Sequence, residues 1–115
     1  MSPTCIFCDI IAGKIDAKKV FVDDDVLAFH DRSAAAPAHV LVVPTKHITG
    51  LSATHGPDAL LLGKLLVVAT HVARELKLQN SGYRVVINDG VDAGQTVPHL
   101  HVHLLGGRAM AWPPG

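Results

Sequence analysis

The sequence is short of several things, and each shortage removes a class of protein. Only two cysteines occur in 115 residues, three positions apart at Cys5 and Cys8. That is no disulfide framework, so a reducing, cytoplasmic setting is expected, or the nucleus in a eukaryotic source. Charge excess is missing too: Lys plus Arg number 10 and Asp plus Glu number 10. Without a basic surplus there is no footprint for nucleic acid or an anionic membrane. The longest apolar tract, Ala59 to Ala73, is interrupted by Gly63, Lys64 and His71, and no membrane helix is expected from it. Met1 to Lys14 lacks the basic-then-apolar layout of a signal peptide. There is no repeat, low-complexity tract or linker, and 115 residues suit one domain, residues 1–115.

What is present is enough for a core. Apolar residues make up 49% of the chain, and a domain of this size needs no disulfide or metal merely to stay folded. Eight histidines are many for this length, and they would add positive charge as pH falls.

Cys5 to Ala12 reads as a short helix ended by Gly13. Lys19–Val22 and Val26–Phe29 read as strands joined by the turn Asp23-Asp24-Asp25, a solvated acidic turn with a weak appeal to cations. His39–Val43 is a third strand, stopped by Pro44. Connections this short force antiparallel pairing. A long helix is expected from about Pro57 to about Leu78, with Gly56 at its cap and Asp58 in its first turn. Leu61, Leu65, Val68, Val72 and Leu76 form its apolar stripe. Ser81-Gly82 breaks the chain before a fourth strand, Tyr83–Ile87. A turn-rich loop, Asn88 to Pro98, leads to a fifth strand, His99–Leu105, ended by Gly106-Gly107. The fold class that follows is α+β: a mostly antiparallel five-stranded sheet with one long and one short helix.

The chemistry concentrates in that fifth strand. Side chains alternate along a strand, so His99, His101 and His103 share one face while Leu100, Val102 and Leu104 join the core. Three neighbouring imidazoles are costly for a merely structural strand, because burial disfavours the charged forms and each neutral ring needs partners. Two readings stay open. The three can ligate a metal, or one can be a nucleophile whose other nitrogen is held by an acceptor. The preceding Asp92-Ala93-Gly94-Gln95-Thr96 loop offers backbone N–H groups to an anion and the Thr96 hydroxyl to a leaving group. Cys5-x-x-Cys8 has chelating spacing, though a redox pair or two buried thiols fit it as well.

His99-Leu100-His101-Val102-His103-Leu104-Leu105 resembles the His-φ-His-φ-His-φ-φ signature of the histidine triad family. Val26-Leu27-Ala28-Phe29-His30-Asp31, Val43-Pro44-Thr45-Lys46-His47, Tyr83-Arg84-Val85-Val86-Ile87-Asn88, Gly94-Gln95-Thr96-Val97 and the ending Leu105-Gly106-Gly107-Arg108 with Met110 and Trp112-Pro113-Pro114-Gly115 are similar, in order, to its Hint branch. The resemblance implies a hydrolase of purine nucleoside phosphoramidates and acyl nucleotide adducts. It would work through a nucleotidyl-histidine intermediate and need no cofactor for catalysis.

By that resemblance His101 is the nucleophile and His103 donates to phosphate oxygens, with Thr96 and Asn88 in the same pocket and His39 supporting. Asp31 holds the ribose hydroxyls. Phe29, His30, Arg32, Gly94, Gln95 and Val97 complete the nucleotide-binding set, although His30 also reads simply as a packing residue. Arg32 stands where Hint proteins usually place an apolar residue, and Thr96 where they usually have Ser. Some members close a structural zinc site with a matching pair of cysteines and two histidines, which here gives Cys5, Cys8, His47 and His99.

The resemblance also implies a homodimer whose sheet continues from one subunit to the next, with Trp112 near the partner's site. The sequence agrees, since Leu60, Leu62, Leu66 and Val67 lie outside the main helical stripe and Val85-Val86-Ile87 reads as a strand buried on both faces. His55 and His71 are expected at the surface. Two other classes remain open: a non-catalytic adaptor that binds zinc or nucleotide, and an open-site zinc enzyme ligated by the three strand histidines.

Overall fold

Short connections and alternating apolar residues give this chain a meander whose last strand is inserted rather than appended. The computed structural model describes residues 5–115; residues 1–4, the head of the stretch read for a leader, lie outside it. In chain order the elements are α1 (Ile6–Ile11), β1 (Lys19–Val22), β2 (Val26–His30), β3 (Ala38–Pro44), α2 (Ala59–Glu75), β4 (Tyr83–Val86) and β5 (Val102–Gly106). They form one five-stranded sheet in the order β1-β2-β3-β5-β4, with every neighbouring pair antiparallel. The α+β expectation therefore holds.

Alternation divides the sheet into two unlike faces. Val26, Ala28, Val40, Val42, Val102 and Leu104 pack under α2, against Leu65, Val68, Ala69, Val72 and Ala73. Leu65, Leu100 and Leu104 are fully buried, and truncating any one to Ala costs about 2–5 kcal/mol. The opposite face carries Leu27, Phe29, Leu41 and Val43, covered by Cys5, Phe7 and Ile10 at α1. His39 and His103 lie on this second face, since Leu41 pairs with His103 and His39 with Leu105.

Several boundaries differ from the sequence expectation. The long helix begins two residues later than Pro57, because Gly56–Asp58 is a 3-10 turn capped by His55, whose N–H donates to Asp58 Oδ2 at 2.9 Å. It ends at Glu75 rather than Leu78. Leu78 N–H closes on the Ala73 carbonyl and Lys77 N–H on the Arg74 carbonyl, the double closure that leaves Lys77 left-handed at φ 60°. The turn and helix together, Gly56–Glu75, are long and apolar enough to cross a membrane, with a mean hydropathy of 1.3, so the interruptions do not exclude that on composition. The buried face of α2 lies on the sheet, as in a core helix of a globular protein.

The Asp23–Asp25 turn is tied down rather than merely solvated. Asp23 Oδ1 accepts the N–H groups of Asp25 and Val26, and Lys64 Nζ lies 2.7 Å from Asp23 and 3.0 Å from Asp25. β4 stops at Val86, and within the single chain it is an edge strand whose Val85 is exposed.

The fifth strand starts at Val102, three residues later than expected. Pro98 has no N–H to give, His99 N–H turns back to the Val97 carbonyl, and Leu100 N–H goes to the Ile48 carbonyl at 2.6 Å. His99 and His101 therefore sit outside the ladder. Alternation survives without it: Leu100 faces the α2 core, while His99 and His101 both pack at steep angles against Phe7, at ring-centroid distances of 5.8 and 5.1 Å.

Candidate active site and metal-binding cluster

His101 is buried, and its Nδ1 lies 2.7 Å from the His99 carbonyl oxygen. A carbonyl only accepts, so the proton sits on Nδ1 and the lone pair on Nε2 is left for chemistry. The turn at Pro98–Leu100 supplies this carbonyl, because leaving the ladder releases it from strand pairing.

His103 is oriented by a chain of donors. Ala35 N–H donates to His39 Nδ1 at 2.9 Å, which puts the His39 proton on Nε2. His39 Nε2 lies 2.9 Å from His103 Nδ1, so it donates there and the His103 proton resides on Nε2. Burial above all, with the rings of His101 and His39 adding to it, pushes the His103 pKa down to about 4. Burial likewise lowers that of His39, against the pull of Asp31. Both rings are neutral at pH 7, and His103 is a neutral donor. Asp31 Oδ1 accepts Ser33 N–H, and its Oδ2 lies 3.4 Å from His39 Nε2.

An apolar cavity of about 240 Å³ lies between α1 and the sheet, lined by Phe7, Ile10, Phe29 and Leu41 together with His30, Asp31, Arg32 and Ser33. A wider depression of about 660 Å³ adjoins it, sharing Ala17, His30, Asp31 and Arg32 and adding Asp16 and Lys18.

In the loop before His99, Gln95 is the brace. Its Oε1 accepts Gly90 N–H, and its Nε2 donates to the carbonyls of Thr49 and Val97. Among the described residues the N–H groups of Thr96 and Val97 donate to no protein acceptor. Gly94 sits at φ +83°, a conformation that side chains resist.

A second constellation gathers around His99, whose ring also contacts Phe7. His99 Nδ1 is 3.5 Å from Cys5 Sγ, 3.6 Å from Cys8 Sγ and 3.1 Å from His47 Nδ1, and Cys8 Sγ is 3.2 Å from His47 Nδ1. His99 Nε2 faces the Pro44 carbonyl at 3.0 Å, so Nδ1 carries the lone pair. Burial and the neighbouring Cys5 push the Cys8 thiol up to about 11. The four ligand atoms lie within 4.8 Å of one another and can hold one metal ion.

Comparison with known proteins agrees with this geometry. The HIT domain profile matches residues 12–110. The chain is 49% identical to the 14 kDa zinc-binding protein of Zea mays, over 99% of this chain and 89% of that one. It is 47% identical to adenylylsulfatase HINT1 of Arabidopsis thaliana, over 99% and 78%. The crystal structure of a HIT family hydrolase from Legionella pneumophila superposes with a TM-score of 0.95 at 45% identity, covering 97% of this chain and all of that one. The chain belongs to the histidine triad family.

Within this histidine triad protein the residues singled out from sequence fall into separate groups. Cys5, Cys8, His47 and His99 meet in one cluster. His39, His103 and Asp31 meet in another, with His101 beside them at a ring distance of 4.9 Å from His103. Phe29, His30, Asp31 and Arg32 line the apolar cavity. Thr96 is exposed, and Gly94 and Gln95 shape the loop. Asn88 lines a different depression with Arg84, Leu105, Met110 and Pro113. His55 is exposed and caps the helix; His71 is exposed against Phe21 and Glu75.

Sequence reasoning missed three contributors. Phe7 reads in the sequence only as part of a helix, yet its ring contacts both His99 and His101. Ala35 acts through its backbone and carries no sequence signal. Arg108 Nη2 donates to the Ala35 carbonyl at 2.9 Å across 73 positions, which no local pattern announces.

Proposed function

We propose that the chain is a nucleotidyl hydrolase that cleaves the P–N bond of purine nucleoside 5'-phosphoramidates, and acyl nucleotides, through a nucleotidyl-His101 intermediate. The observation that carries this reading is the 2.7 Å hydrogen bond from His101 Nδ1 to the His99 carbonyl, which leaves Nε2 a neutral nucleophile. Nε2 attacks phosphorus, the P–N bond to the leaving amine breaks, and the amine leaves with a proton drawn from solvent. Water then attacks the phosphorus, the P–Nε2 bond breaks and the water's proton returns to solvent, leaving neutral His101 and the nucleoside monophosphate. His103 Nε2–H steadies the non-bridging oxygens as charge builds, and the Thr96 hydroxyl is close in sequence to serve the leaving group. The base occupies the cavity walled by Phe7, Ile10, Phe29 and Leu41, with Asp31 at the ribose. The identity shared with a HIT family hydrolase and an adenylylsulfatase supports hydrolysis.

Zinc is the metal we propose for Cys5, Cys8, His47 and His99, as a closed structural site. Three neighbours converge on one lone pair at His99 Nδ1, more than a single proton can satisfy. Tetrahedral zinc, with Zn–S about 2.3 Å and Zn–N about 2.0–2.1 Å, sets ligand edges of roughly 3.3–3.8 Å, close to those seen here. Zinc would turn both thiols into thiolates. The Zea mays relative is named for zinc binding. A homodimer in a reducing, cytoplasmic setting completes the reading: Leu60, Leu66 and Val67 on α2 and Val85 on the edge strand β4 are exposed apolar residues that a two-fold partner would cover.

Incubation of the purified protein with an adenosine phosphoramidate should release AMP, and rapid quenching should trap a chain heavier by one nucleotidyl group. A folded, zinc-loaded protein that binds AMP without turnover would instead be a binding adaptor. Light scattering at micromolar concentration should give twice the chain mass, and elemental analysis about one zinc per chain.

A further inference from the structure

Among the described residues lining the apolar cavity, Arg32 is the one Arg or Lys side chain. It lines both the cavity and the adjoining depression. Its Nη2 donates to the Asp16 carbonyl at 2.7 Å, which ties the end of β2 to the segment before β1 and fixes the guanidinium at the rim. Among the described residues no carboxylate lies within ion-pair distance of it, and Asp16 O is its one acceptor. An arginine has five N–H donors and no acceptor, so most of its donors remain for a ligand. Asp31, the one carboxylate among the residues lining the apolar cavity, is already turned to Ser33 N–H and His39.

Purines differ on the edge that such a group meets. Guanine and hypoxanthine present two acceptors, N7 and O6. Adenine presents one acceptor, N7, and the N6 amine, a donor. A guanidinium fork pairs with the first edge and leaves the second with donor facing donor. We propose that Arg32 is a base-reading residue and that this site prefers 6-oxopurine nucleotides, guanine or hypoxanthine, over adenine nucleotides. The inference rests on the nucleotide-hydrolase reading above and narrows its substrate class. It concerns selection among purines and leaves the phosphorus chemistry of His101 as described.

The experiment is calorimetric titration of the full, metal-replete chain with GMP, IMP and AMP, on wild type, Arg32→Ala and Arg32→Lys. Arg32 is exposed, so both variants should fold, and far-UV circular dichroism checks this. GMP and IMP should each bind about tenfold more tightly than AMP, or ~1.4 kcal/mol, the low end for a bidentate arginine-guanine pair. Arg32→Ala should bring the three affinities together. Arg32→Lys keeps the charge without the fork and should lose most of the preference. Equal or tighter binding of AMP to wild type overturns the proposal. So does a preference that survives in Arg32→Ala, or one shown by GMP alone, which would point to the 2-amino group. Failure of all three nucleotides to bind would overturn the nucleotide reading beneath it, a result distinct from equal binding.

Discussion

Two pairs of imidazoles in this protein approach almost equally closely and are built for opposite ends. His47 and His99 bring Nδ1 atoms to 3.1 Å, and His39 Nε2 lies 2.9 Å from His103 Nδ1. What separates them is the partner of the remote nitrogen. In His99 that nitrogen faces the Pro44 carbonyl, so the near nitrogen offers a lone pair to a crowd of two sulfurs and a ring. In His39 it faces the N–H of Ala35, so the near nitrogen carries a proton and the pair is a plain hydrogen bond. A carbonyl behind the ring makes a ligand, and an amide behind the ring makes a donor. His101 belongs to the first kind, but its lone pair is not surrounded by thiols, which is why it reads as a nucleophile.

Among these rings, replacement of His101 should have the largest effect. His101→Ala should cut turnover on the order of a thousandfold or more while the circular dichroism spectrum stays native. A folded alanine variant with near-normal rates would remove His101 from the chemistry. The metal side should respond differently. Replacing Cys5 and Cys8 together by Ser should abolish zinc retention and lower Tm by on the order of 10 °C. Turnover measured well below that Tm should fall far less than in His101→Ala. Loss of activity in step with the metal would join the two sites into one.

The His39–His103 pair should make stability depend on pH. His103 is held near 4 in the folded chain against an ordinary value of 6.5, and His39 is lowered as well. The unfolded chain therefore binds more protons in this range, so stability rises with pH there. The contribution is fully present above about pH 6.5 and is lost as pH falls toward about 4. Tm should drop across that window, and His103→Gln should flatten the drop; an unchanged slope in the variant would assign the effect to other groups. Least of all should come from Lys64→Ala, which cuts the ties to Asp23 and Asp25 at the surface. Its Tm should shift by a degree or so at low salt and not measurably at high salt.

The fold class and the His99-to-His103 alternation were legible because side-chain period is a local property. Strand limits were not, because they depend on where distant backbone groups find partners: Ile48 takes the N–H of Leu100, and no feature of either residue says so. Cys5 and Cys8 were readable as a chelating pair from spacing alone, whereas adding His47 and His99 needed the family resemblance. Lys64 over the acidic turn and Arg108 on Ala35 were invisible for the same reason as Ile48: each spans dozens of residues and uses either an exposed charge or a carbonyl. Arg32 stood out in the sequence as a charged residue at a usually apolar position, and the structure adds what it lines and what holds it.

The insertion of β5 between β3 and β4 also sets an order of assembly. A chain emerging from the ribosome can pair β1, β2 and β3 as soon as they appear, since each meets its sequence neighbour. β4 then has nothing to pair with, because its only neighbour in the sheet is β5. Until residues 102–106 arrive, β3 has an open edge, the core side of α2 lacks Val102 and Leu104, and the imidazoles at 39 and 103 are apart. Non-local pairing of this kind is slow to form and leaves apolar surface waiting. The cavity walls at residues 6–41 are made early, and the contact of His39 with His103 is among the last a nascent chain can complete.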